Sequence, residues 1–279
     1  MLGTRILTAA VLLPLVLAAL FLLSAPLWGA VALVAIVAGA VEWGELAGFR
    51  RPARWWFAGS TLVLGAGLLL AGWGGETRGW PDALVLAVCG ATTAFWALVA
   101  PPWLRFHWKP STPIVAVATG WLVLIGTWMA VVLLQSRSPW LLLAAMALVW
   151  IADSAAYFSG RAFGRHKLAP EISPGKTWEG VWGALIAVTC YALALVPMAG
   201  AAGFRGSVGA ATIAAWLAVA LALTALSVEG DLFESLLKRQ AGVKDSGKLL
   251  PGHGGVLDRI DALLAAMPAA ALVAIVFLK

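Results

Sequence analysis

Residues 244–278 read KDSGKLLPGHGGVLDRIDALLAAMPAAALVAIVFL. From about 260 onward this is an apolar run close to the ~20 residues a helix needs to cross a bilayer. Directly before it stand Lys244, Asp245, Lys248, His253, Asp258, Arg259 and Asp261, in a chain of which only 11% is charged. Similar apolar runs lie at about 6–23, 27–47, 56–73, 82–100, 113–134, 139–158, 180–199 and 208–228. With 62% hydrophobic residues in 279 and a mean hydropathy of +0.93, the chain falls outside the range of soluble domains. The reading is an all-α polytopic integral membrane protein with about nine transmembrane helices. The first run exceeds the ~7–15-residue core of a cleaved signal, so it counts as a span.

Lys and Arg accumulate in cytoplasmic loops. With nine spans, all 19 basic residues except Arg78, Arg137, Arg205 and Lys279 fall on the side of the N-terminus. That asymmetry supports the span count, with the N-terminus in the cytoplasm of a plasma membrane and the C-terminus outside. The net charge is +6, but its confinement to these loops favours anionic lipid headgroups and phosphorylated ligands over nucleic acid. Cys89 and Cys190 both fall within apolar runs and are expected to be buried packing residues, with no disulfide or thiolate metal site. Tryptophans at span ends (Trp28, Trp55, Trp56, Trp80, Trp103, Trp140, Trp178) are expected to act as interfacial anchors. Gly44-x-x-x-Gly48 and Gly160-x-x-x-Gly164 match a helix-contact pattern.

The two halves differ. Residues 1–150, five spans and the start of a sixth, contain the acids Glu42, Glu45, Glu76 and Asp82; Glu42 and Glu45 are read as structural. Residues 151–279 hold the remaining acids and two polar loops, at 159–179 and 229–259, where chemistry is expected.

Three constellations stand out. Asp153 and Tyr157 are four apart and share a helix face at the end of the sixth span. An acid within a span costs ~2.5–3.5 kcal/mol even on the lenient insertion scale, so it needs a partner or a function. Next, the segment Lys167 to Glu179 contains Ser173, Lys176 and Thr177 around a Pro-Gly turn before the seventh span. Its GKT triplet falls short of a P-loop, which needs a Gly where Pro170 stands and a preceding strand. Lysines, hydroxyls and a helix start nevertheless suit an anionic phosphate. In the third constellation, Asp231, Ser235 and Lys238 form a helical stripe, followed by Arg239 and the quoted stretch. Gly254 and Gly255 allow a tight backbone beside His253, and Asp258 and Asp261 open the last span on one face.

Carboxylates converging at a membrane repel one another and lose hydration unless a cation neutralises them. An oxygen-rich set with one His and no nearby Cys suits Mg²⁺, which takes one or two carboxylates and leaves its other positions to water and phosphates. The residues alone thus point to a Mg²⁺-dependent site that handles phosphates at the cytoplasmic surface.

At Ser235, Lys238, Arg239, Lys244, Asp245, Pro251, Gly252, His253, Gly254, Gly255, Asp258, Arg259 and Asp261 the chain resembles, in order and spacing, the phosphatidate cytidylyltransferases (CDP-diacylglycerol synthases). Asp153, Tyr157, Gly160 and the Ser173–Gly180 segment also look like elements of that family. The resemblance implies formation of CDP-diacylglycerol and pyrophosphate from CTP and phosphatidic acid, in phospholipid biosynthesis, by a homodimer in the lipid bilayer. It assigns Asp231, Asp258, Asp261 and Asp153 to metal coordination, with a second cation left open. Asp231, Lys238, Arg239, Asp258 and Asp261 become catalytic. Tyr157, Lys167, Ser173, Lys176, Thr177, Ser235, Lys244, Asp245, His253, Gly254, Gly255 and Arg259 become substrate-binding. A transporter, the rival class, predicts mid-span charges at corresponding positions of two halves. Here they cluster at span ends in one half.

Overall fold

The computed structural model of the protein describes residues 2–75, 79–110, 112–198 and 209–277; Glu76, Arg78, Arg205 and Lys279 lie outside them. The helices are α1 (Leu2–Leu22), α2 (Ala25–Leu46), α3 (Arg51–Trp73), α4 (Asp82–Ala94), α5 (Ala100–Phe106), α6 (Pro113–Arg137), α7 (Pro139–Phe163), α8 (Trp178–Leu195), α9 (Ala210–Ala241) and α10 (Leu257–Phe277). Among the described residues eight helical spans are long and apolar enough to cross a membrane, with α4 and α5 counted as one; the described apolar part of α1, Ala10–Leu22, is shorter. The protein is a multi-pass, all-α membrane protein.

The expected bounds hold well for the spans and poorly for the polar segments. α9 does not end near 228. It continues to Ala241, so residues 229–241 are helix and only 242–256 form a loop. Thirty-two residues at 1.5 Å each make a rod about 48 Å long, against ~30 Å of hydrocarbon. The last turns of α9 carry its charges into the polar zone, and Gly242 stops the helix in the left-handed conformation at φ +72°. Similarly, 164–177 is not an open loop. β1 (Lys167–Ala169) and β2 (Ser173–Thr177) pair antiparallel, with Lys167 opposite Thr177 and Ala169 opposite Ser173.

α6 and α10 are the most buried spans, and the rest pack around them. In the α4–α5 span, Pro101 and Pro102 supply no N–H and their rings crowd the preceding turn. The helix widens there to one π-turn at Phe95–Val99, closed by the Ala100 N–H donating to the Phe95 carbonyl. This brings Phe95, Trp96 and Trp103 against Phe233 of α9, with ring centroids 5.8, 5.3 and 5.5 Å away. Trp43 of α2 stacks on the same ring at 6.4 Å. A fully buried aromatic thus locks the charged end of α9 to the N-terminal half.

Three local expectations are corrected. Cys190 is exposed on the outside of the bundle; only Cys89 is buried, because Cys190 lies on the face of α8 turned from its neighbours. Trp55, Trp56, Trp140 and Trp178 are exposed as anchors would be, but Trp28, Trp80 and Trp103 are buried. Their indole N–H groups donate to the carbonyls of Val131, Leu68 and Trp108, which satisfies them inside the bundle. Gly44 packs on Phe49 and Arg54 just beyond its own helix end, whereas Gly160 does mark a close approach, facing Gly180 and Thr177 where α7 meets α8.

Candidate active site

Every motif found in the sequence lies at one end of the bundle, where α2, α5, α7 and α9 end and α8 and α10 begin. The crossing of α9 and α10 organises it. At Gly230 a Cβ would come within 2.5 Å of the Asp261 carbonyl oxygen, so only glycine lets the two helices approach this closely. The acids on either side of the crossing are thereby gathered. Asp153, Asp231 and Asp261 lie within electrostatic reach of one another, and Glu234 lies within reach of Asp261.

Cations from two directions meet these acids. Lys176, at the end of the hairpin, places Nζ 2.8 Å from Asp231 Oδ2 and 3.4 Å from the Val228 carbonyl oxygen. Lys238 sits between Glu234 Oε2 at 2.5 Å and Asp258 Oδ1 at 2.7 Å, all three side chains being largely buried. Ser235 Oγ donates to Asp231 Oδ1 at 3.3 Å. Glu229 Oε1 and Glu234 Oε1 are buried without a hydrogen-bond partner.

The hairpin is fixed by Glu179, whose carboxylate accepts from the backbone N–H groups of Arg165 (3.1 Å) and His166 (3.2 Å) and lies 2.7 Å from His166 Nδ1. Arg239 Nε donates to the Ile172 carbonyl at 3.2 Å, and His107 Nδ1 lies 3.4 Å from Glu171 Oε2. Thr177, expected on substrate, is buried and caps α8 by accepting from the Gly180 N–H at 3.2 Å. Ser173 is half-buried in the strand, while Lys167 is exposed.

The 242–256 loop is fixed differently. Asp258 Oδ2 accepts from the N–H groups of Ser246 (2.9 Å) and Gly255 (2.8 Å), and Oδ1 takes Lys238. Both oxygens of Asp258, expected on the metal, are engaged here in bracing the loop. His253 donates its N–H to the Leu250 carbonyl, and its Nδ1 is buried without a partner. Gly254, at φ +83°, accepts at its carbonyl from the Leu250 N–H and closes the turn. Lys244, Asp245 and Arg259 are exposed around this loop. Tyr157 points outward, accepting from Arg161 at 3.2 Å.

Glu42 escaped a sequence-based site assignment. It is 6% exposed and accepts from Ser246 Oγ and from the N–H groups of Val256 and Leu257 at 3.0, 2.9 and 2.8 Å. Its position as an acid near the end of an apolar helix was the one available signal.

A hard divalent cation fits this donor set, which offers carboxylate oxygens in mutual repulsion and no sulfur. Among the described residues no three His, Cys, Asp or Glu side chains are gathered as ligands for one ion. The fit is therefore to an ion that takes one or two carboxylates and completes its shell with water and phosphate, as Mg²⁺ commonly does.

A membrane bundle with acids and lysines interleaved at one polar end fits a membrane enzyme acting on anionic groups. The chain belongs to the cytidylyltransferase family, whose pattern it matches over residues 3–277, and so is a nucleotidyltransferase. It is similar to a phosphatidate cytidylyltransferase of Haemophilus influenzae, at 39% identity over 288 residues covering 96% of each chain. A phosphatidate cytidylyltransferase of Pseudomonas aeruginosa is 41% identical over 275 residues, covering 96% of this chain and 95% of its own. One of Thermotoga maritima is 44% identical over 119 residues, 43% of each chain.

Proposed function

We propose that the protein transfers the cytidylyl group of CTP to the phosphate of phosphatidic acid, producing CDP-diacylglycerol and pyrophosphate for phospholipid synthesis. A phosphate oxygen of the lipid attacks the α-phosphorus of CTP, and the bond from that phosphorus to the oxygen bridging to the β-phosphate breaks. Electrons and charge leave with pyrophosphate. A phosphomonoester carries ~1.5–2 negative charges at pH 7, so the nucleophile needs no strong base. What it needs is relief from anion repulsion and alignment.

The carrying observation is the meeting of Lys176 with Asp231 where Asp153 and Asp261 also converge, at the polar end of a membrane bundle. Mg²⁺ held by Asp231 and Asp261, with Asp153 beside them, would neutralise developing phosphate charge. Lys176 holds a phosphate by exchanging Asp231 for it. Lys167, Lys244 and Arg259, exposed around the site, draw the anionic nucleotide in. This end of the bundle bears Arg50, Arg51, Arg54, Arg105 and Lys109 as well, which supports a cytoplasmic site by the positive-inside rule. The close relatives' names support the lipid acceptor, and the donor set supports the metal.

Pyrophosphate release from CTP by purified protein in mild detergent tests this. Release that requires both phosphatidic acid and Mg²⁺ is expected. Release without lipid, or with metal chelated, refutes the acceptor or the metal respectively. A folded protein that releases nothing with phosphatidic acid but turns over another lipid phosphate reassigns the acceptor.

A further inference from the structure

The signature motifs of this chain sit wholly in its C-terminal half, yet a carboxylate that accepts three hydrogen bonds from them comes from the second helix. Glu42, at the polar end of α2, accepts three hydrogen bonds from the 242–257 segment: Ser246 Oγ, the Val256 N–H and the Leu257 N–H. The last two are free donors at the start of α10, where a helix terminus favours an anion. Ser246 is itself buried, and its Oγ also accepts from the Asp258 N–H at 3.3 Å while its own N–H donates to Asp258. Glu42 and Asp258 therefore hold the same serine from opposite sides.

Two glycines make room for this arrangement. A Cβ on Gly247 or on Gly255 would collide with the Glu42 carboxylate, and one on Gly255 would also collide with Ser246 Oγ. Gly255 has a negative φ, so its backbone does not require glycine; the space beside Glu42 does. Gly255, expected at the substrate, packs here against Glu42.

We propose that Glu42 is a positioning residue for the cytidylyl transfer: through Ser246, Val256 and Leu257 it fixes the glycine-rich loop and the first turn of α10, and with them the directions of Asp258 and Asp261. The proposal rests on the reading that this loop and α10 serve the phosphate-handling site. It gives the N-terminal half of the bundle a defined part in the reaction. Without the clasp, Gly252 and Gly254 leave the loop free to change shape, and Lys238 loses a fixed partner in Asp258.

Hydrogen–deuterium exchange in detergent, on peptides spanning 253–262, reads the clasp without any substrate. It is paired with steady-state pyrophosphate release for the wild type, Glu42→Gln, Glu42→Ala and Ser246→Ala. Glu42→Gln keeps the shape but presents one amide donor toward N–H groups, so exchange in those peptides is expected to rise about tenfold or more. In the same variant kcat/KM for CTP is expected to fall about 10²-fold, with KM raised and thermal unfolding little changed. Ser246→Ala, which removes one of the three bonds, is expected to move both readouts the same way by less. It decides the matter should both Glu42 variants fail to fold. Unchanged exchange in the loop peptides overturns the clasp. Raised exchange with wild-type turnover, or lost folded protein with unchanged KM in the remainder, overturns the positioning role. An inactive wild type with protected 253–262 amides counts against the cytidylyl-transfer reading and leaves the clasp standing.

Discussion

The hairpin at 164–177 and the glycine-rich loop at 242–256 both meet the end of α9, but they are held in opposite ways. The hairpin hangs on a partly exposed carboxylate, Glu179, and reaches the acids through the side chain of Lys176. The loop is gripped from inside by Glu42 and Asp258, both accepting from its backbone N–H groups. A substrate phosphate and its cation can exchange with the Lys176–Asp231 pair, because both are hydrophilic partners of like kind. The loop's backbone N–H groups are already taken by two carboxylates of the chain itself. In the proposed reaction the hairpin would therefore be the element that changes partners, and the loop the frame.

The sharpest break in that division is expected at the acids between the two elements. Asp261→Asn keeps the volume and removes a charge that repels Asp231, Asp153 and Glu234. Turnover is expected to drop about 10³-fold, as for loss of a preorganised electrostatic group, while thermal stability holds or rises. Activity within tenfold of wild type in Mg²⁺ contradicts the assignment of Asp261 to the metal.

Lys238 tests the frame. It neutralises Glu234 and Asp258 together, with only 14% of its side chain exposed. Lys238→Met leaves two buried carboxylates without a cation, and removing one partner of such a network costs about 3–5 kcal/mol. A clear fall in the detergent unfolding temperature is expected together with near-complete loss of turnover. The same substitution at Lys176, where 22% of the side chain and 33% of that of Asp231 are exposed, is expected to leave the unfolding temperature nearly unchanged. Its cost appears as a rise of about 10–10² in KM for CTP or lipid. A Lys176→Met protein that unfolds as easily as Lys238→Met erases the distinction between frame and exchanger.

Much of this was readable from residue order, and the failures share a cause. Asp231, Ser235 and Lys238 declared a helical stripe, and the spacing through Asp258 and Asp261 carried the resemblance to the family. The helical stripe was still assigned to a loop, because charge density was taken to mark the end of the helix. A 32-residue α9 simply outruns the bilayer and takes its charges along. The hairpin was hidden because Pro174 and Gly175 lower strand propensity, and its strands form only where Glu179 ties residues 165 and 166 back. Glu42 was visible as an acid in an apolar helix, but its partners lie 204 to 215 residues away, and single-sequence spacing carries no signal at that range. Thr177 and Asp258 carry structural contacts that residue order did not reveal. The Thr177 hydroxyl caps the start of α8, whereas Asp258, in the first turn of α10, holds the loop that precedes it.

The smallest effect is the most informative about the hairpin. Glu179 holds the turn before β1 through Arg165, His166 and the His166 ring, at the solvent edge of the site. Glu179→Gln can still accept at one oxygen, so the hairpin should persist with weaker closure and faster amide exchange at 165–168. Lys176 stays within reach of Asp231 on average but is positioned less tightly. The expected result is a KM raised about two- to fivefold, an unchanged kcat and an unchanged unfolding temperature. Should kcat fall as well, the hairpin acts beyond binding, in aligning the attacked phosphorus, and the line between exchanger and frame moves to β2 itself.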